Sequence, residues 1–266
     1  MPELPEVETI RKQLGETIMG AELSHLEVRQ SKCFEGDRKI RGEIISEITR
    51  VGKYLFIKFK SGRGLAIHLK MTGRLVVDVE AYDLLPHTRV VVELVDGRKL
   101  FYWDTRMFGY IKFEEDIEAA EQKVKVKMGP DPWEMTEIEL LRRLQKTGRS
   151  VKEAILDQSL LAGVGNIYAN DGLWKARIDP RRKAKTLKLS EVKKLLNSLR
   201  TVLERGLATG GASDNSYVDA KGKKGSYQNE FLVYGRTGEP CRRCGQNLIR
   251  IVVGGRGTWV CEKCQR

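Results

Sequence analysis

Four cysteines stand in two closely spaced pairs near the end of the 266-residue chain, Cys241-x-x-Cys244 and Cys261-x-x-Cys264. Each pair can place two thiolates on one tetrahedral ion, and four sulfur ligands favour zinc. Four protein ligands leave no open coordination position, so the expected ion is structural rather than catalytic. A segment of this size buries too little core to fold alone, and metal binding would supply much of its folding free energy. Two disulfides are the alternative pairing, but nothing in the sequence points to an oxidising compartment. Cys33 is left over and reads as a buried thiol.

A different chemistry is available at the start, Met1-Pro2-Glu3-Leu4-Pro5-Glu6. The small second residue permits removal of the initiator Met, which would expose Pro2 as a secondary amine. Such an amine condenses with an aldehyde carbon to an iminium that is cationic without further protonation, the electron sink that covalent amine catalysis needs. Glu3 beside it could shuttle protons. Taken alone the motif is weak, because most Met-Pro starts carry no function.

Two glycine-rich segments could hold phosphate. Gly254-Gly255-Arg256-Gly257-Thr258, between the cysteine pairs, reads as a hairpin tip presenting one guanidinium. Gly163-Val164-Gly165-Asn166 precedes a helix near Ile167, whose free N–H groups suit an anion. A solvated turn and a plain Asn N-cap are the respective bland readings.

The elements that must position these residues fall into three segments, 1–128, 129–228 and 229–266. Pro5, Glu6 and Glu8 suit a first helical turn, with Val7, Ile10 and Leu14 on one stripe. Short β-rich runs follow at Tyr54–Phe59, Leu65–Leu69, Leu75–Val77, Val90–Val95, Leu100–Trp103 and Tyr110–Phe113, with a hairpin signal at Asp96-Gly97. They suggest an antiparallel sandwich. Gly129-Pro130-Asp131-Pro132 then marks a boundary. Thr136 and Glu139 form a capping box, and shorter helices are expected near 151–157 and 166–175. Ser190 caps a longer helix that ends at Gly206. Residues 208–228 read as a mobile loop.

The chain carries 48 Lys+Arg against 36 Asp+Glu, a net +12. Residues 221–266 hold ten Lys/Arg against three Glu, a net +7, which points to a polyanionic partner near the C-terminus. No stretch of about 20 residues is free of charge, which excludes a membrane-spanning helix. No basic-then-apolar leader opens the sequence.

Taken together, these pieces closely resemble the formamidopyrimidine-DNA glycosylase family of base-excision repair enzymes. The resemblance rests on P-E-L-P-E-V-E (2–8), H-L-K-M-T-G (68–73), D-T-R-M-F-G (104–109), L-D-Q-S-L-L-A-G-V-G-N-I-Y-A (156–169), V-Y-G-R (233–236) and the paired cysteines around G-R-G-T. These span nearly the whole chain in the family's order. The resemblance implies an α+β fold: a catalytic N-terminal β-sandwich opened by a helix (1–128), a helix-two-turn-helix domain with a lesion-capping loop near 210–228 (129–228), and a four-cysteine zinc-finger β-hairpin (229–266).

It implies further that Pro2 attacks C1′ of the damaged nucleotide, with Glu3 assisting ring opening and Glu6 in support. Lys53 matches a lysine that contacts phosphate near the lesion, and His68, Asn166 and Arg256 match phosphate-contacting positions. A flipped-out base must be replaced in the stack, a role matched by Met71, Arg106 and Phe108. The expected activity is excision of oxidised purines (formamidopyrimidines and 8-oxoguanine) followed by β,δ-elimination. The alternatives are an endonuclease VIII-type enzyme for oxidised pyrimidines and a non-catalytic DNA-binding zinc protein. One structural zinc, damaged duplex DNA as partner, a monomeric state and a cytoplasmic location complete the expectation. The stretch Gly210–Asp219 departs from the family's usual Thr/Leu/Arg-containing version, and Asp171 stands where Glu is usual.

Overall fold

The computed structural model describes residues 1–214 and 216–266; Asn215, inside the loop expected near 210–228, lies outside the described residues. It has an α+β fold in two compact units. The first comprises Met1–Val126 with Gly206–Gln228, the second Lys127–Arg205 with Asn229–Arg266.

In the first unit, α1 (Leu4–Ile18) buries Val7, Ile10 and Leu14, the stripe that the sequence spacing predicts, and Ile18 beyond it. Nine strands follow: β1 (Leu23–Val28), β2 (Phe34–Glu35), β3 (Ile45–Val51), β4 (Tyr54–Phe59), β5 (Gly64–His68), β6 (Arg74–Val77), β7 (Thr88–Leu94), β8 (Lys99–Trp103) and β9 (Tyr110–Glu114). They form a four-stranded sheet, β1-β7-β8-β6, and a five-stranded sheet, β2-β9-β5-β4-β3. Apolar residues of α1 and of both sheets share one core, including Leu75, Val90 and Leu100 from one sheet and Ile48, Ile57 and Ile67 from the other. Pairing is antiparallel except between β2 and β9, where two residues run parallel.

Helix α2 (Ile117–Lys127) closes the sandwich segment and was not legible in the sequence. It buries little beyond Ile117 and Glu121, and is tied down by Lys58, whose ammonium lies 2.6 Å from Glu118 and 2.8 Å from Glu121.

Part of the stretch that composition assigns to a mobile loop packs on the sandwich. Tyr217 and Ala220 enter the main core, while Val218 covers Val76, Val91 and Phe101 on the other face of the four-stranded sheet. The Val77 N–H donates to the Ala220 carbonyl at 2.8 Å, extending the edge of β6. Three apolar side chains among Gly, Ser and Lys are enough to anchor the segment. This is why it groups with the sandwich rather than with the helices that precede it.

The second unit holds α3 (Glu137–Gln145), α4 (Val151–Leu156), α5 (Asn166–Ala176) and α6 (Leu189–Ala208). Thr136 caps α3 through the Glu139 N–H at 3.2 Å, and Ser150 with Glu153 forms a full capping box on α4. Helix α6 starts one residue before Ser190. There the Glu191 carboxylate reaches back and accepts from the Lys188 N–H at 2.9 Å, and Ser190 lies inside the helix. The helix also runs past Gly206 to Ala208, before Gly210 and Gly211 turn the chain with positive φ. Val192, Leu195, Leu196, Leu199, Val202 and Leu203 recur at helical spacing and form its buried face. β10 (Ile249–Val253) and β11 (Arg256–Val260) form the terminal hairpin. Arg243 secures this terminal segment by donating to the Trp174 and Lys175 carbonyls at the end of α5, at 2.6 and 2.8 Å.

Candidate active site

Helix α1 begins immediately after Glu3, which leaves Pro2 at its positive end. Pro2, Glu3 and Glu6 are all buried, and Met1 is 40% exposed. The Glu6 carboxylate bridges two backbone amides, accepting from Glu3 N–H at 2.7 Å and from Ala212 N–H at 2.8 Å. Gly211 is required for this approach. It holds φ +90°, and an added Cβ would lie 2.9 Å from the Glu6 side chain. The three N-terminal candidates therefore converge on one place, joined by the packed loop.

His68 ends β5 directly opposite Tyr54 of β4, and Lys53 occupies the tight β3–β4 turn beside it. The Lys70 N–H donates to His68 Nδ1 at 3.0 Å, which leaves Nε2 to carry the ring hydrogen. Burial, reinforced by the ammonium groups of Lys70 and Lys53, brings the imidazole down to about 3. His68 is thus a neutral N–H donor at physiological pH.

Met71, from the β5–β6 loop, lies together with Arg106 and Phe108, from the β8–β9 loop. Arg106 Nη1 is 3.3 Å from Met71 Sδ, and its guanidinium sits 4.6 Å from the Phe108 ring centroid. Met71 is 42% and Phe108 51% exposed, so two large apolar side chains face solvent with a cation between them.

In the second unit, Asn166 is the first residue of α5, and the cap position falls on Gly165. The Asn166 amide donates to the Gly257 carbonyl at 3.1 Å, beside exposed Arg256 at the hairpin tip. Sequence reading missed Lys152, which is fully buried. Its ammonium donates to Thr258 Oγ1 at 2.7 Å and to the Gly257 carbonyl at 2.9 Å. A lysine inside the apolar run V-K-E-A-I-L was the available signal. Asp171, noted only as a departure, accepts from the Leu232, Val233 and Tyr234 N–H groups at 3.0–3.2 Å and so holds the chain entering the finger.

The four cysteine sulfurs lie within 4.8 Å of one another. At a Zn–S distance of about 2.3 Å, a tetrahedron spaces its sulfurs about 3.8 Å apart. Cys241 and Cys264 are separated by 3.9 Å and Cys244 and Cys261 by 3.4 Å, so the donor set fits that ion. Burial alone would raise the Cys241 thiol, but N–H groups of Arg243 and Cys244 and the Trp174 indole outweigh it and bring it down to about 6. Cys241 is thereby poised as thiolate, the form that binds metal, while burial and the neighbouring cysteine sulfurs push Cys261 and Cys264 up.

Models of the formamidopyrimidine-DNA glycosylase N-terminal domain and of its helix-two-turn-helix domain match residues 1–111 and 128–217. A model of the zinc finger found in FPG and IleRS matches 238–266. The formamidopyrimidine-DNA glycosylase of Desulfitobacterium hafniense is 40% identical, with all of both chains covered. The chain belongs to the formamidopyrimidine-DNA glycosylase family. A further relative of the same description, from Heliobacterium modesticaldum, is 39% identical over the whole of both chains.

Structures agree across this glycosylase family. The Lactococcus lactis enzyme in complex with DNA containing an abasic site is 34% identical, covers 99% of each chain and superposes with a TM-score of 0.91. The Thermus thermophilus protein is 36% identical, with 99% and 98% covered and a TM-score of 0.90. Within the family's architecture, the four cysteines make the site of one structural zinc ion.

Proposed function

We propose that this chain is a bifunctional DNA glycosylase/AP lyase of base-excision repair, acting on oxidised purines in duplex DNA. The observation that carries the reading is the placement of Pro2 before α1 with buried Glu3 and Glu6 alongside, in a chain alike throughout to relatives solved with abasic-site and Fapy-dG-type DNA.

Removal of Met1 frees the Pro2 nitrogen. Its lone pair attacks C1′, and the glycosidic bond breaks with its electrons leaving on the base, which takes up a proton. Glu3 protonates the ring oxygen as the sugar opens, leaving an iminium between Pro2 and C1′. That cation acidifies the C2′ hydrogen. Its loss expels the 3′ phosphate, and a second elimination expels the 5′ phosphate. Glu6 orients the Glu3 backbone, and Lys53 and His68 hold phosphate near the lesion. Met71, Arg106 and Phe108 fill the vacated stack, while Asn166 and Arg256 grip the backbone. Zinc holds the finger that presents Arg256. The protein acts as a monomer in the cytoplasm, at the nucleoid.

Borohydride trapping on duplexes carrying each lesion tests the reading. The processed protein is expected to cross-link to formamidopyrimidine, 8-oxoguanine and abasic duplexes. Pro2→Gly is expected to lose the cross-link while still binding. A processed wild type that traps on no substrate would refute the lyase assignment, and preferential trapping on oxidised pyrimidines would shift it to the endonuclease VIII type.

A further inference from the structure

The loops that carry Met71 and the Arg106/Phe108 pair close on one buried carboxylate. Asp104 follows β8 and is fully buried. Its Oδ1 accepts from the Thr72 hydroxyl and from Arg106 N–H at 3.0 Å. Its Oδ2 accepts from Gly109 N–H at 3.0 Å and from the Tyr102 hydroxyl at 3.1 Å. Thr72 is the neighbour of Met71, and Arg106 and Gly109 bracket Phe108. One side chain therefore fastens both loops at the residues beside the three exposed groups.

The surroundings leave little freedom. Met107, between Arg106 and Phe108, holds φ +53°, a left-handed conformation that needs support in a residue with a Cβ. At Gly109 a Cβ would lie 2.2 Å from the Tyr102 oxygen and 2.7 Å from the His68 carbonyl. The Asp104 backbone is itself fixed, its N–H donating to the His87 carbonyl at 3.0 Å and its carbonyl accepting from Arg89 Nε at 2.8 Å.

We propose that Asp104 is the positioning residue that locks the Met71 and Arg106/Phe108 loops into one preformed wedge, so that the three side chains enter the base stack together. The proposal rests on the stack-filling role given to those three residues above. A wedge ordered before binding loses less conformational freedom on insertion than two independent loops. Only a carboxylate can accept on both sides: an amide at this position turns a donor toward either the Thr72/Arg106 pair or the Gly109/Tyr102 pair.

The test separates work on a stacked duplex from chemistry that needs no wedge. Asp104→Asn is expected to slow single-turnover excision from a lesion duplex by about 10–100-fold, the cost of one mismatched charged hydrogen bond. It should also abolish the fluorescence change of 2-aminopurine placed opposite the lesion. Cleavage at an abasic site in single-stranded DNA, where no stack is filled, should be unchanged. Equal losses on both substrates would reduce Asp104 to a general structural role and overturn the proposal, as would no loss on either.

Should Asp104→Asn fail to fold, Thr72→Val removes one link alone and should show the same selective loss, with Thr72→Ser restoring the duplex rate. A Thr72→Val protein with an unchanged duplex rate would count against the shared anchor. Arg106→Ala and Phe108→Ala run in parallel keep the two ideas apart. If they leave duplex excision intact, the stack-filling reading itself fails; if they impair it and Asp104→Asn does not, only the positioning role falls.

Discussion

Glu6 accepts a 2.8 Å hydrogen bond from the N–H of Ala212, 206 positions along the chain, with the same carboxylate that holds the Glu3 amide. The start of α1, which follows Pro2 and Glu3, and the base of the loop near 210–228 are thereby set by one side chain. Glu6 is only 1% exposed, so both bonds are shielded from water.

Glu6→Gln preserves the shape but supplies one acceptor where two are needed, setting an amide donor against a backbone N–H. A buried polar group left unmatched costs about 1–3 kcal/mol, so single-turnover excision should fall by about 10–100-fold. Duplex affinity should move little. A rate within the wild-type error, measured on a protein with unchanged melting, would show that this bridge does not position Glu3.

Lys152→Met leaves the Thr258 hydroxyl and the Gly257 carbonyl without their buried cation. Hydrogen bonds to charged groups contribute about 1.5–3 kcal/mol each, and their loss should lower the melting temperature and weaken duplex binding about tenfold or more. Asn166 and Arg256 both depend on the backbone at that corner. Equilibrium titration of a fluorescent duplex reads the outcome, and unaltered affinity in a folded variant would contradict it.

Zinc removal should unfold the finger first. Metal analysis is expected to find one zinc per chain, and a chelator should release it with loss of duplex affinity. Cys261→Ser should reproduce that loss. Retained affinity after confirmed metal release would remove the finger from the DNA contact.

His68 sets a pH dependence whose sign follows from its burial. Its folded value of about 3 lies below the ordinary 6.5, so between those values the unfolded chain binds more protons. Its contribution to stability is therefore present above about pH 6.5 and is lost as the pH falls toward 3. Between pH 8 and 5 the His68 ring resonances should stay flat in NMR titration. A midpoint near 6.5 would show that the ring is neither buried nor neutral.

Much of the sandwich was legible because strands such as β4, β5 and β8 are short apolar runs bounded by turns. β1 and β3 escaped for a specific reason. Register shifts at Leu23/His25 and Ile45/Glu47 break the two-residue alternation, leaving burial patterns that no longer read as strands. α2 escaped because it lacks an apolar stripe and relies on an ion-pair anchor at Lys58. The docking of Tyr217, Val218 and Ala220 within 208–228 was not legible because composition records how polar a segment is, not where its few apolar side chains pack.

The candidate site divides in the same way. The cysteine spacing, the Pro2-Glu3 start and the Gly-rich turns are local patterns, where a few bonds of chain dictate which atoms can meet. Sequence alone determined these, together with the kind of chemistry they allow and the family they belong to. Tertiary structure alone decided that Asp104 joins loops 32 positions apart, that Glu6 reaches Ala212, and that Lys152 carries the hairpin corner. Each is a buried charge whose partners are set by the need to satisfy it out of water, and that need is met wherever the fold brings donors or acceptors within reach, however far apart they lie in the chain.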